Sequence, residues 1–418
     1  MRTKFKKIDA VIVVVLIALA GLVLYKAGYI FPEETRETAT PEWEDIPPST
    51  PKLPESLTAG YMRAVSPKDE GVHFDKIRIC REWWYFSVVF DNGDSELRNW
   101  TVAVSFNHMA RSDLRFTLKP DLLVVTLIGP DGEVYGGMIN KIRGLGILQQ
   151  PTLKAKSPGV DVTFEDSWAK GEAPRWQVHA EDKGIDKNYE IVVDLEFFAP
   201  GEPLWTIGER PFDKSKSNIA SYMFTGCNVT GTVEIDGLEY KVKGTGHHEH
   251  SWSPNIITRR TFNGWDWCHM TLDNGWNIYF TNYHPTPQFV TTKVTKLNQF
   301  DSLVITTDKG RTVTQLENID PKITKSYKIF PFAKLPSEIN VKAKPSISQI
   351  LLQPYKIQLD IDIKVDKGYD KVWKFPTYVG MEIGRTIVTG KIKWSDDDGS
   401  YEIELNGVGV LWSMRALL

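Results

Sequence analysis

The chain has 418 residues, 41% of them hydrophobic and 25% charged, which suits two or three folded domains of ordinary soluble composition. Lys and Arg (50) nearly balance Asp and Glu (53), and no basic block lies beyond the first seven residues, so nucleic acid is not an expected partner. Cys80, Cys227 and Cys268 are too few and too scattered for a disulfide framework or a zinc site.

Residues 1–9 form a basic tail carrying Arg2, Lys4, Lys6 and Lys7. An apolar run then extends from Ala10 to Tyr25 and, past Lys26, on to Phe31. A membrane-spanning helix needs roughly 20 apolar residues and Lys26 can snorkel, so residues 10–31 are expected to form one transmembrane helix. The positive flank places the N-terminus in the cytoplasm and the body of the chain outside it, as a single-pass protein of the cell membrane. A cleaved signal peptide is the alternative, but its small-x-small pattern, Ala18-Leu19-Ala20, falls inside the apolar run. Residues 32–59 read as a linker, because Pro32, Pro41, Pro47, Pro48, Pro51 and Pro54 among many Glu and Thr favour extended chain.

From residue 60 onward the pattern is β. Asp131-Gly132, Asp236-Gly237 and Asn274-Gly275 lie between strand-like runs as hairpin turns, with longer loops at Asp308-Lys309-Gly310 and Asp398-Gly399. Between Tyr355 and Val365, Ile357, Leu359, Ile361 and Ile363 alternate with Gln358, Asp360, Asp362 and Lys364, the mark of a strand with one wet face. No later segment holds a sustained helical period. Many short strands with regular turns predict an all-β fold of barrels or sandwiches. Two halves are expected, residues 60–253 and 254–418, each opening on a Trp-rich strand followed by a meander.

Three motifs carry the chemistry: Glu82-Trp83-Trp84-Tyr85, His248-Glu249-His250-Ser251-Trp252 and Gly264-Trp265-Asp266-Trp267. Each sets an acid or imidazole among aromatic rings, where burial moves proton affinity and an apolar ligand can reach it. Alternation in a strand puts His248, His250 and Trp252 on one face and His247, Glu249 and Ser251 on the other, unless Gly244 and Gly246 introduce a bulge. Glu82 in a doubly aromatic strand needs a cation, with Arg78 and Arg81 at hand, or a proton. Trp265, Trp267 and His269 share a face opposite Asp266, and either face could line a cavity. A metal reading of His248 and His250, completed by His269 or His284, is open but secondary. Nucleophile elbows, dinucleotide and phosphate loops and the His-Glu-x-x-His signature are all missing.

The order of these motifs resembles the AttH-like and hydroxyneurosporene synthase (carotenoid 1,2-hydratase) family, over a span from about Gly60 to the C-terminus. The resemblance implies two lipocalin-like antiparallel β-barrels side by side. It also implies apolar isoprenoid or polyketide-like substrates, and hydration or cyclisation of a double bond with neither metal nor organic cofactor. His250 and Trp252 match the family's acidic-His-x-Trp motif, in which Glu249 here replaces the usual Asp. The family's C-terminal Tyr-Trp-Glu-Gly stands as Tyr378-Val379-Gly380-Met381-Glu382.

The expected function is therefore a membrane-anchored lipocalin-like protein that holds an apolar isoprenoid or lipid. His250, Glu249, Trp252 and Asp266 are the expected catalytic residues, with His250 as proton donor and Glu249 supporting it. Glu82, Trp83, Tyr85, His248, Trp265, Trp267 and Tyr279 are expected to contact the ligand. The alternatives are a lipid carrier without chemistry and, behind it, a metal enzyme built on His248 and His250.

Overall fold

The computed structural model describes residue 53 and residues 65–77, 80–93, 95–109, 121–141, 152–183, 190–207, 220–254, 262–285, 302–330, 333–352, 356–373 and 379–416. The expected anchor at 10–31, and all of the expected linker except the buried Leu53, lie outside the described residues. Among the described residues no helix is long and apolar enough to cross a membrane.

The described fold is all-β, in two antiparallel sheets. The first holds β1 (Cys80–Gly93), β2 (Thr101–Met109), β3 (Asp121–Ile128), β4 (Val134–Lys141), β5 (Leu153–Lys156), β6 (Val160–Phe164), β7 (Ser167–Glu172), β8 (Arg175–Lys183), β9 (Glu190–Phe198), β10 (Leu204–Ile207), β11 (Ala220–Ile235) and β12 (Leu238–Pro254). The second holds β13 (Phe262–Leu272), β14 (Asn277–Pro285), β15 (Ser302–Thr307), β16 (Thr312–Leu316), β17 (Asn318–Phe330), β18 (Ala333–Lys344), β19 (Gln358–Trp373), β20 (Val379–Asp396) and β21 (Gly399–Ala416). The described α-helices are short: α1 (Pro67–Glu70) and α2 (Ile347–Leu352).

The two sheets repeat one topology. The first runs β4-β3-β2-β1-β12-β11-β9-β8-β7-β6-β5, with β10 pairing on β11, and the second runs β16-β15-β14-β13-β21-β20-β19-β18-β17. In each, an opening meander is hydrogen-bonded through its first strand to the last strand of the sheet. Each sheet curls over its own core: β4 packs on β8 and β9, and β18 on β20 and β21. Among the described residues neither path closes by hydrogen bonding, so these are curled open sheets where closed barrels were expected.

Local chemistry explains the strands. Asp236 and Gly237 take positive φ (48° and 83°) in the two-residue turn between β11 and β12, the conformation that suits the right-handed twist of a hairpin. Along β19, Leu359, Ile361 and Ile363 are buried while Gln358, Asp362 and Lys364 are exposed. β12 itself gains no extra residue at Gly244 or Gly246: the breaks in register facing them lie in β1, between Phe90 and Asn92, and in β11, between Thr225 and Cys227, and the two glycines are sites of close approach. A Cβ on Gly244 would lie 2.1 Å from the Val89 carbonyl oxygen, and one on Gly246 2.4 Å from a Val229 methyl. The alternation of β12 therefore holds through His247–Trp252.

That alternation gives the central strands two buried faces. Trp84, Phe86, Val88 and Phe90 of β1 enter the first sheet's core with Trp176, Phe197, Tyr222 and Trp252. Trp83 and Tyr85 point the other way, into a seam between the sheets. Across this seam Tyr85, Leu122, Val124 and Met138 meet Tyr369, Met381, Ile383 and Val410. Leu204 and Met223 likewise meet Trp267, Tyr279 and Val304. Each such side chain stabilises by roughly 1.5–3 kcal/mol when fully buried, so the seam is an internal core in its own right. It is pinned by a hydrogen bond of 2.7 Å between the Thr225 and Thr306 hydroxyls and one of 2.8 Å from Arg385 Nε to the Asn99 carbonyl.

Candidate functional site

The seam opens into a pocket lined by Arg81, Trp83, Asn107 and Leu122 of the first sheet and Trp265, Trp267, Met381, Trp412 and Met414 of the second. Its enclosed cavity volume is only about 30 Å³, at the bottom of a cleft of about 400 Å³ that includes open solvent. Four indoles and three apolar side chains make it a ring-lined apolar hollow, with Asn107 and Arg81 as polar groups that can fix an orientation. The Arg81 guanidinium lies 5.5 Å over the Trp265 ring. Tyr85 is packed between Trp267 and Trp412, with ring centroids 5.7 and 5.8 Å away.

Behind the pocket the seam is polar and sealed. Glu249 is buried, and its Oε1 accepts hydrogen bonds from Ser221 (3.1 Å) and Ser251 (2.8 Å). Burial pushes its carboxyl up to about 8, against the smaller lowering effects of Ser251, Ser221 and the Trp83 indole. Burial thus favours the protonated acid at neutral pH, and its second oxygen, Oε2, has no hydrogen-bond partner. His247 Nε2 lies 3.6 Å from its Oε2. His247 stacks on His269 across the seam at 4.3 Å and on Tyr279 at 5.8 Å. Burial strips both imidazoles of charge: His269 falls to about 3, and His247 is further lowered by His269 and His248. With both rings neutral, His247 gives Glu249 no positive charge to ionise against.

The interior face of β1 and β12 holds a separate network. His250 Nε2 lies 2.8 Å from Glu82 Oε1, and His250 Nδ1 3.0 Å from the Asp69 carbonyl oxygen. His73 Nδ1 reaches the same Glu82 oxygen at 3.0 Å, and the backbone N–H groups of His73 and Phe74 donate to the carboxylate at 3.0 and 2.7 Å. Burial opposes charge on Glu82, but the hydrogen bonds from His250 and His73 outweigh it and hold the carboxyl at about 2. His250 is stacked on Trp84 at 4.6 Å, and His73 on Trp252 at 3.7 Å with the rings 6° apart. The ligating atoms of His73, Glu82 and His250 all lie within 4.8 Å of one another, the arrangement among the described residues that could hold a metal ion.

The second sheet has its own buried acid. Asp266 lies inside the sheet, bound by Arg415 Nη2 (2.8 and 3.0 Å), His284 Nε2 (2.7 Å) and the Ser413 hydroxyl (2.7 Å). Burial would raise its carboxyl, but His284 and Arg415 hold it below the ordinary range.

The expected site residues thus divide between three places. Trp83, Trp265 and Trp267 line the pocket, with Tyr85, Tyr279 and Glu249 in the seam beside it. Glu82, His248, His250 and Trp252 lie inside the first sheet, and Asp266 inside the second. The expected support of His250 by Glu249 is not formed, because neighbours in a strand face opposite ways; Glu82 takes that place. Among the described residues Glu82 pairs with His250 and His73 and with no arginine, while Arg78 lies outside the described residues. Among the described residues His248 is not in the cluster that brings ligating atoms together around His250; its Nδ1 lies 3.1 Å from the Tyr85 carbonyl. His269 and His284 are taken up by the seam and by Asp266. His73, Trp412 and Met414 carry no local signal in the sequence that marks them as site residues. His73 sits outside any strand pattern, and Trp412 shares with Val410 and Met414 only the alternation that marks a common face of the last strand.

A family model described as AttH-like matches residues 145–356, half of the chain. No curated protein matches. Among solved structures, an AttH of Nitrosomonas europaea is similar at TM-score 0.53 and 15% identity, over 88% of this chain and 100% of its own. CghA in complex with Sch210972 is similar at TM-score 0.50 and 12% identity, over 87% of this chain and 95% of its own. Kievitone hydratase from Nectria haematococca follows at TM-score 0.49 and 9% identity, over 86% of this chain and 95% of its own. The first two are likenesses of fold.

Proposed function

We propose, on the premise that this chain belongs to the AttH-like family, that it binds an apolar isoprenoid or lipid in the pocket between its sheets and adds a proton to it from Glu249. The observation that carries the reading is a buried carboxylic acid, held protonated near neutral pH by burial, with one oxygen bound by two serines and the other left without a hydrogen-bond partner in the seam behind an apolar pocket. Protonating an isolated alkene needs a water-poor acid. Glu249 would give its proton to one alkene carbon. Water, or a second double bond of the same molecule, would then attack the other carbon, and the proton lost from that adduct would return to Glu249. Hydration and cyclisation both balance this way without a cofactor. Ring faces of Trp265, Trp267 and Trp412 would shelter the intermediate cation. His250, the donor expected from the sequence, is set aside because it faces the interior of the first sheet.

The basic-then-apolar order of residues 1–31 supports a further part of the proposal: the body is tethered to the membrane, outside the cytoplasm, close to apolar ligands. A second reading, binding without chemistry, is favoured by the pocket lining, which includes Trp83 but not the buried Glu249. The purified full-length chain should quench its tryptophan fluorescence saturably with farnesol, geranylgeraniol or retinol. Trp412→Ala should weaken that binding by about tenfold or more, as expected for losing one ring of a buried contact. On the catalytic reading a product heavier by one water, or an isomer, accumulates and is lost in Glu249→Gln while uptake persists. Uptake without product supports the carrier reading, and no saturable uptake of any of the three probes rejects both.

A further inference from the structure

We propose that His73 Nδ1, Glu82 Oε1 and His250 Nε2 form a three-ligand site for a divalent transition-metal cation, with Zn²⁺ as the best fit. The site is independent of the pocket between the sheets and lies on the opposite face of β1 and β12.

The first argument is the count of hydrogens. The Asp69 carbonyl, 3.0 Å from His250 Nδ1, can only accept, so Nδ1 carries its hydrogen. The lone pair of a neutral His250 is then on Nε2 and points at a carboxylate oxygen 2.8 Å away. Two lone pairs cannot face each other there; a second proton or a cation has to stand between them. The same Glu82 oxygen also faces His73 Nδ1 at 3.0 Å and the His73 backbone N–H at 3.0 Å. One cation would turn these converging groups into two nitrogen ligands and one oxygen ligand.

The second argument is geometric. Tetrahedral Zn²⁺ binds imidazole and carboxylate at about 2.0–2.2 Å, which places its ligands about 3.3 Å apart. The observed separations from Glu82 Oε1, 2.8 and 3.0 Å, need to open by only a few tenths of an ångström, and the two imidazole nitrogens lie within 4.8 Å of each other, so small rotations of the rings bring all three to that spacing. Two histidines and one glutamate are a recurrent zinc set that leaves a fourth position for water or another ligand.

The third argument is the supporting shell. Metal-bound histidines keep their orientation by donating the other ring hydrogen to a carbonyl or carboxylate, as His250 does to Asp69. The Phe74 backbone N–H holds Glu82 Oε2 at 2.7 Å, and the His73 backbone N–H is shared between the two oxygens at 3.0 Å each, which fixes the carboxylate with Oε1 toward the imidazoles. Both imidazoles are clamped on indoles, His250 on Trp84 and His73 on Trp252. Glu82 and His250 are fully buried, while the His73 side chain is 16% exposed and gives the ion a way in.

The test titrates the full-length chain, stripped with a chelator, with ZnCl₂ by calorimetry and with CoCl₂ by visible absorption. One equivalent should bind, with a cobalt band typical of few-coordinate nitrogen and oxygen ligands. His73→Gln should weaken binding about a hundredfold, while His284→Gln, in the second sheet, should leave it unchanged. Because His73 lies at the margin, its variant should keep the wild-type circular dichroism, which separates ligand loss from unfolding. Glu82→Gln, which is neutral and of the same size, should abolish the cobalt band. The proposal is overturned by absence of one-equivalent binding in the parent chain, or by unchanged affinity in folded His73→Gln; the network is then held by protons alone.

Discussion

Glu249→Gln separates the charge of the seam acid from its shape. The glutamine keeps the volume and can still accept from Ser221 and Ser251, so at about pH 5 the variant should match the parent within about 1 kcal/mol. The two should part as pH rises. In the unfolded chain Glu249 ionises near 4.5, whereas in the folded chain burial holds it at about 8. Between those values the folded state binds a proton that the unfolded state has lost, so stability falls with rising pH. Its contribution is complete below about 4.5 and is lost as pH climbs through about 8. A separation of about 3.5, at about 1.4 kcal/mol for each, comes to roughly 5 kcal/mol. Glu70 and Glu382, both raised to about 7 chiefly by burial, act with the same sign and steepen the parent's profile. They are common to both chains and cancel in the difference. Urea unfolding from about pH 5 to about pH 8.5 should therefore show the variant gaining several kcal/mol on the parent. Parallel profiles would mean that Glu249 is already ionised in the folded protein, and the proposed proton source would fall with them.

Two other substitutions probe the frame around the site. Asp266→Asn should cost about 3–5 kcal/mol, because it leaves the largely buried Arg415 guanidinium without its carboxylate. Since Asp266 titrates below its ordinary 3.8, its contribution is present above that value and lost on acidification, so the two denaturation curves should converge in acid. A loss under about 0.5 kcal/mol would show that the pair is not what holds β13 to β21. Gly226→Ala should destabilise by about 1–3 kcal/mol. Gly226 has φ +66° at the break in register between Thr225 and Cys227, and a Cβ there would lie 2.8 Å from the Lys309 carbonyl carbon. Thermal unfolding that leaves the variant unchanged would mean that the sheets do not meet as closely there as the geometry requires.

Much of the fold is legible in local sequence because strand period and turn chemistry are short-range. The alternation of Ile357 to Ile363, the Asp236-Gly237 turn and the opposed faces of His247–Trp252 all follow from residues within a few positions of each other. The site is less so. Nothing near Glu82 announces that its partners are His250, across a strand pair formed 168 residues later, and His73, from a segment with no strand pattern. The pocket belongs to neither half by itself: Trp83 and Trp412 meet only because two curled sheets pack face to face, and curl and packing angle leave no local period. That global arrangement also decides which acid keeps its proton. Glu249 meets serines and neutral rings, whereas Asp266 meets an arginine, although both sit in similar aromatic strings.

β12 serves two compartments at once. Its even-numbered residues from His248 to Trp252 furnish the closed interior of one sheet, and its odd-numbered ones from His247 to Ser251 furnish the wall shared with the other. Inserting or deleting a single residue between Gly246 and His247 would exchange the two sets wholesale, sending Glu249 to the imidazole cage and His250 to the shared wall. Point changes in this strand can therefore be made on one side without touching the other, but its length cannot drift by even one position.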